Sequence, residues 1–376
     1  MAKIGLLSEN FYWYDGETFQ SGGGENYEFS LVQNMVKQGH DVQVYQFSFK
    51  PFTKKYMNNW GSMTVKGLGN MNPNGEPVGS VAAERGVDMF LNATKDCDMH
   101  ILLTVNLAYK TMPKPTVSIF HGIYWNFESP TYKQPEWNEN YLKRWIRNVP
   151  FVVSVDTDCI NFVRANFPRY INGLYYIPNY VDVNIFKPKP RKEDGMFKVL
   201  YARRLNTLRG LELYIQAAEI LTKKYEDIKF TICGKGLGDT HEHVNKWCRD
   251  HRNCEYTSHD LSEMQNEYPN HDINVVPSIA SEGLSLSMLE GMACGLPCIG
   301  TDVGGIPNAL INNYNGLLIK ANELDTLVNA IEYAYLNREK VKEWGKNAQA
   351  IAQTFNKDRW NEQWNVMIDK VLSFSK

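Results

Sequence analysis

A chain of 376 residues exceeds the usual size of a single hydrophobic core, so two domains are expected. With 43% hydrophobic, 22% charged and 12% aromatic residues it has the composition of a folded protein, and this excludes a disordered or fibrous chain. A formal net charge of -2 and the lack of a basic run give no pull toward nucleic acid, and seven irregularly spaced cysteines fit neither a disulfide framework nor a zinc pattern.

The opening "MAKIGLLSENFYW" reads as a first strand and lacks the basic start and long apolar core of a signal peptide. No apolar run reaches the roughly 18 residues that a membrane helix needs, so a cytoplasmic protein is expected. "KIGLLS", a helix from about Glu25 to Gln38 closed by Gly39, and "DVQVYQF" form a β-α-β start. "MHILLTV", "TVSIF" and "FVVSV" extend a mostly parallel sheet, whose ligands bind beyond the carboxyl ends of the strands. The proline- and charge-rich stretch "YYIPNYVDVNIFKPKPRKEDG" places a domain boundary near 180–195. A second series follows, "FKVLYA", "IKFTICG", "CEYTSH", "INVVPS" and "LPCIGTD", each leading into a helical pattern. The expected division is 1–185, 186–355, and a final helix over 356–376 that packs back toward the first domain.

The chemistry centres on "SEGLSLSMLEGMACGLPCIGTDVGG", which sets Glu282 and Glu290 with seven residues between them among small and apolar neighbours. If the chain is helical from about Leu284, the two carboxylates stand about 12 Å apart. That is too far for a pair acting on one bond. It suits two anchors along an extended ligand, with a helix N-terminus between them for an anion, which is the form of a nucleotide diphosphate sugar. A helix with one capping and one solvated glutamate fits the same spacing. Gly22, Gly23 and Gly24 follow the first strand and open a helix, a second anion site or a plain glycine turn. Neither this stretch nor "GKGLGD" has the spacing of a dinucleotide fingerprint. Arg203, Arg204 and Arg209 in "YARRLNTLRG" stand ready to neutralise a leaving diphosphate, or form a basic surface loop.

Other residues read two ways. His121 ends a strand, within reach of a cleft or as a satisfied structural histidine. Asp156 and Asp158 form a D-x-D that either holds a divalent metal or caps the helix of "CINFVRANF". "HEH" at 241–243 reads as surface. Trp145 among Lys143, Arg144 and Arg147 marks a membrane or glycan contact, or the basic edge of an amphipathic helix.

Taken in order, "GGGE" with "GHDV", "RRLNTLRG", "VVPS" and the E-x7-E stretch with "GLP" and "DVGG" behind it resemble the family-four retaining glycosyltransferases of GT-B fold. The resemblance spans nearly the whole chain. It implies an α/β protein of two Rossmann-like domains facing each other across a donor and acceptor cleft. By the same resemblance Glu290 would bind the ribose hydroxyls and Glu282 the sugar hydroxyls, with backbone N–H groups of Gly283, Leu284 and Ser285 near the sugar and phosphates. Arg204 and Arg209 would hold the diphosphate, Gly22 and Gly23 would let the first domain approach donor and acceptor, and His121 would lie beside the transferred sugar. Four positions depart from the family pattern: Ser285, Gly291, Tyr180 and Asn308.

The implied activity is transfer of a hexose-type sugar from a nucleotide-diphosphate donor, UDP before GDP, to a hydroxyl of a glycan, glycolipid or small-molecule acceptor. No cofactor and no metal are expected, and no nucleic-acid partner. A peripheral contact with the inner face of the membrane stays open. The aromatic segments "ENFYWYDGETFQ" and "YWNFESPTY" would line the acceptor side, or belong to the core. A GT-B nucleotide-sugar 2-epimerase and a catalytically silent glycan- or nucleotide-binding subunit are the alternatives.

Overall fold

A computed structural model of the chain describes residues 1–19, 22–72, 81–122, 147–191, 194–236, 238–259 and 263–374. The chain divides into two compact units. The first comprises the described parts of Met1–His121, Ser129–Ile177 and Asn361–Lys376, and the second is built mainly from Pro178–Trp360.

The first unit contains Lys3–Ser8 (β1), Gly23–Lys37 (α1), Asp41–Gln46 (β2), Pro51–Asn58 (β3), Gly61–Leu68 (β4), Val81–Ala93 (α2), Met99–Leu102 (β5), Thr116–Phe120 (β6), Phe151–Ser154 (β7), Thr157–Asn166 (α3) and Leu174–Tyr176 (β8). Its sheet runs β3-β4-β2-β1-β5-β6-β7-β8, parallel throughout except for the β3–β4 pair. The strands β5, β6 and β7 are buried at every residue, as parallel strands covered on both faces must be. Helix α1 starts at Gly23, two residues earlier than Glu25, with Gly22 as an extended N-cap that offers no side-chain bond.

The second unit contains Phe197–Ala202 (β9), Leu211–Lys224 (α4), Ile228–Cys233 (β10), Thr240–Asp250 (α5), Cys254–Thr257 (β11), Met264–Glu267 (α6), Ile273–Val276 (β12), Leu286–Ala293 (α7), Cys298–Thr301 (β13), Gly316–Ile319 (β14), Leu324–Leu336 (α8) and Arg338–Thr354 (α9). Its all-parallel sheet has the order β11-β10-β9-β12-β13-β14, the doubly wound order in which β9 and β12 flank the topological switch point. Alternation along β9 explains the two cores. Val199 and Tyr201 face α4 and α8 residues such as Leu221 and Ile331, while Leu200 and Ala202 face α7 residues such as Met288 and Met292.

Lys357–Ser373 (α10) is the last helix among the described residues, and residues from Asn361 onward belong to the first unit. There Trp364 is fully buried and donates from Nε1 to the Tyr27 hydroxyl at 2.9 Å, Asn365 Oδ1 accepts from Asn34 at 2.8 Å, and the Phe374 ring meets Phe151 edge-on at 5.1 Å. Among the described residues no helix is long and apolar enough to cross a membrane.

Candidate active site

In the second unit the carboxyl ends of β9 and β12 carry the charged groups, where a doubly wound sheet binds its ligands. Arg203 directly follows β9 and continues its pairing, its N–H donating to the Cys233 carbonyl at 3.0 Å. Its guanidinium donates from Nη2 to Glu282 Oε2 at 2.6 Å and from Nη1 to Ser285 Oγ at 3.0 Å. Arg209 reaches the same Glu282 Oε2 from Nη1 at 2.6 Å, and Ser278, just past β12, donates to Oε1 at 2.6 Å. Burial pushes the Glu282 carboxyl up, but the Arg203 and Arg209 charges and the Ser278 hydroxyl outweigh it and hold the group below its ordinary value. Glu282 is therefore ionised and holds two guanidiniums on one carboxylate.

The two guanidiniums sit beside the N-terminus of α7, whose dipole is positive at that end. The helix begins at Leu286, two residues later than Leu284, because Ser285 takes the N-cap with an extended backbone and its Oγ accepts from the Met288 N–H. Ser285 thus has a local reason to stand where it departs from the family pattern. Gly283 and Leu284 fall in the loop before the helix. The Leu284 carbonyl accepts from Asn179 Nδ2 at 2.6 Å and its side chain lies in the core, so only its backbone N–H is left to serve a ligand.

Two glycines make this approach possible. Gly304 has φ +51, and a Cβ there would lie 2.1 Å from the Glu282 carbonyl, which Gly305 N–H bonds at 2.7 Å. Gly210, at φ +73, brings the turn carrying Arg209 against the Pro277 carbonyl, which a Cβ would meet at 1.9 Å.

Glu290 lies toward the end of α7, half-buried, and accepts from the Tyr268 hydroxyl at 2.8 Å. Burial pushes it up to about 7, with the Tyr268 hydrogen bond acting in the opposite sense. Gly291 departs from the family pattern beside a close neighbour: a Cβ there would meet Asn274 Nδ2 at 2.9 Å. Tyr180 packs its ring on Trp360 at 4.5 Å.

In the first unit Gly22 is half-buried and Gly23 exposed at the start of α1. His121 follows β6 and packs edge-on against the Tyr27 ring at 4.8 Å. Burial lowers it to about 4 despite a hydrogen bond with the Leu103 backbone, so the ring is neutral, and its Nε2 meets no partner among the described residues. Nearby in sequence, Glu28 is buried on α1 and accepts from Ser8 Oγ at 2.8 Å; burial pushes it up to about 8, which keeps it a neutral acid at pH 7.

The structure therefore brings Arg209, Glu282 and Ser285 into one cluster, with Glu290 further along α7. It does not bring Arg204 there. Its side chain is exposed, whereas that of Arg203 turns inward. Sequence reasoning named Arg203 among three candidate arginines but gave the diphosphate to Arg204 and Arg209 by resemblance, and it left Ser278, Tyr268 and Glu28 out of the site. Ser278 stands in a quoted motif, but nothing local marks Tyr268 or Glu28.

Asp156 caps α3, accepting from the Asp158 and Cys159 N–H groups at 3.0 and 3.2 Å. Among the described residues no three His, Cys, Asp or Glu side chains group as a metal would need. Of the aromatic loop, Phe11 and Tyr12 are buried, Phe11 and Phe19 pack on Tyr56, and Trp13 is exposed. "YWNFESPTY", Lys143, Arg144 and Trp145 lie outside the described residues.

The family model for glycosyl transferases group 1 matches residues 182–351. Among curated proteins, the chain is similar to a D-inositol 3-phosphate glycosyltransferase of Paenarthrobacter aurescens, 28% identical over 209 residues, which are 52% of this chain and 51% of that protein. The chain spans about half the length of the curated relatives it matches. Among solved structures it is similar to sucrose-phosphate synthase from Thermosynechococcus elongatus, with a TM-score of 0.82 at 17% identity over 99% of this chain and 100% of that one. It is also similar to Anabaena HepE in complex with UDP-glucose, with a TM-score of 0.72 at 18% identity over 98% and 100% of the two chains. Residues 182–351 thus match the glycosyl transferases group 1 model, and the two α/β units have the fold of the GT-B glycosyltransferases.

Proposed function

We propose that the protein is a retaining glycosyltransferase that moves a hexose-type sugar from UDP-sugar to an acceptor hydroxyl without a metal. The observation that carries this reading is the paired arginines on Glu282 at the mouth of α7, beside a helix N-terminus. Such a site neutralises a leaving diphosphate by position and charge alone. The bond from the anomeric carbon to the diphosphate oxygen breaks, the acceptor oxygen bonds to that carbon from the same face, and the acceptor proton leaves with the departing phosphate or to solvent.

Arg203 and Arg209 would hold the diphosphate, and Glu290, two turns along, the ribose hydroxyls. An ionised carboxylate has about four acceptor positions, and the arginines and Ser278 occupy three of those on Glu282. At most one is left for a sugar hydroxyl, so Glu282 acts first as the group that orients the two arginines. His121, neutral and with a buried Nε2 that meets no partner among the described residues, is able to accept a hydroxyl. The UDP preference is supported by the HepE complex named above, which holds UDP-glucose.

Calorimetric titration with UDP, GDP and ADP, with and without magnesium, tests the donor side. UDP should bind without magnesium and bind about tenfold more weakly to Glu290→Ala, about 1.4 kcal/mol. Release of UDP from UDP-sugar only when an acceptor is added separates transfer from epimerisation. Binding that requires magnesium would sink the metal-free reading, and no binding by any nucleotide would sink the donor site itself.

A further inference from the structure

We propose that Tyr268 is a positioning residue for the nucleotide: its phenol holds the Glu290 carboxylate in the orientation that meets the ribose hydroxyls. The inference rests on the reading of Glu290 as the ribose anchor. Tyr268 stands 22 residues before Glu290 in the chain, in a short 3-10 turn over Tyr268–Asn270 that directly follows α6. Its side chain is 1% exposed, in the core that includes Met288 and Met292 of α7, with the Phe186 ring edge-on at 6.0 Å. The turn is pinned from the other side, since Glu267 takes a hydrogen bond from His259 Nε2 at 3.0 Å on its carboxylate and bonds His271 Nδ1 at 3.1 Å through its carbonyl.

A phenol held this firmly has one hydrogen to give, and it gives it to Glu290 Oε2. Burial and the Glu290 charge push Tyr268 well above its ordinary value, so it remains a donor throughout the neutral range. The terminal torsion of a free glutamate is broad, and fixing it in advance removes an ordering cost from ligand binding. Tyr268 takes one of about four acceptor positions on the carboxylate, which leaves both oxygens able to receive a hydroxyl of a vicinal diol.

The arrangement also sets a pH dependence. Glu290 is pushed up to about 7 by burial. Besides Tyr268, the titratable group facing it among the described residues is Cys294 at the end of its own helix. Cys294 is pushed up to about 12 by burial and the Glu290 charge, with Lys189 acting in the opposite sense, so it stays neutral. As pH falls through about 7 the Glu290 carboxylate takes up a proton and loses acceptor positions, so nucleotide affinity falls. Removing the phenol's hydrogen bond removes support for the ionised form and moves that midpoint to higher pH.

The test is calorimetric titration with UDP between about pH 6 and about pH 9 on the wild type, Tyr268→Phe, Phe186→Leu and Glu290→Gln. Tyr268→Phe should bind UDP about tenfold more weakly than wild type at neutral pH, with its midpoint displaced upward. Phe186→Leu, which disturbs the packing around the ring and leaves the phenol in place, should keep the wild-type midpoint. Glu290→Gln should bind weakly and without pH dependence. If Tyr268→Phe keeps wild-type affinity and midpoint while Glu290→Gln is weak, the positioning role is wrong and the ribose anchor stands. An equal midpoint shift in Phe186→Leu would also overturn it, as a packing effect. If Glu290→Gln binds like wild type, the ribose anchor itself fails.

Discussion

The Arg203 side chain, 5% exposed, bonds both Glu282 and Ser285, while Arg204 beside it faces solvent. Two adjacent arginines thus differ in the side to which they turn. Removing Arg203 strips a buried carboxylate of one of its two cations, and breaking such a pair costs about 3 kcal/mol. Urea denaturation should show that loss for Arg203→Ala, and a change within about 0.5 kcal/mol for Arg204→Ala. UDP affinity should fall in the first variant and hold in the second. Equal behaviour of the two would contradict the geometry. The motif around these residues was legible in the sequence, as were Glu282, Glu290 and Arg209. Which of two neighbouring arginines turns inward was not, because that depends on how β9 meets the α7 loop, some eighty residues later. Tyr268 and Glu28 were hidden for the same reason: a tyrosine in a short turn and a glutamate in a helix become notable only when the fold buries them.

Helix α3 shows a local signal that is complete in the sequence. Asp156 accepts from two N–H groups of the first turn, the task that a short acidic side chain performs at a helix start. Asp156→Ala should cost about 1 kcal/mol of stability in urea denaturation, with no change in the magnesium dependence of UDP binding. A change in that dependence would return the residue to a metal role. The β3–β4 hairpin shows the opposite case. Its two loop residues are Asn59 and Trp60, not the Asn-Gly pair that announces a tight hairpin, and the turn is made instead by the Asn58 side chain accepting from the Trp60 N–H and by Gly61 at φ +149. The buried parallel strands, being short apolar runs between turns, were legible from their sequence alone.

At the scale of the molecule, the first unit is completed by residues from the far end of the chain. Trp364 is fully buried in it, and its indole bonds Tyr27, which in turn packs against His121. Trp364→Ala should destabilise the protein by about 4 kcal/mol, read as a lowered melting temperature of the first unit in calorimetry. A chain ending at Trp360 should lose that unit's transition, and an unchanged thermogram would mean that residues 361–374 merely decorate it. The same feature bears on synthesis. A ribosome moving at about 5 to 20 residues per second needs on the order of ten to forty seconds to make the stretch between Ile177 and Asn361. For that interval the nascent first unit waits with the surface that receives Trp364 uncovered, while the second unit, which runs to Trp360, is itself being made. The unit whose synthesis starts first therefore receives its closing residues only after the other has been made in full.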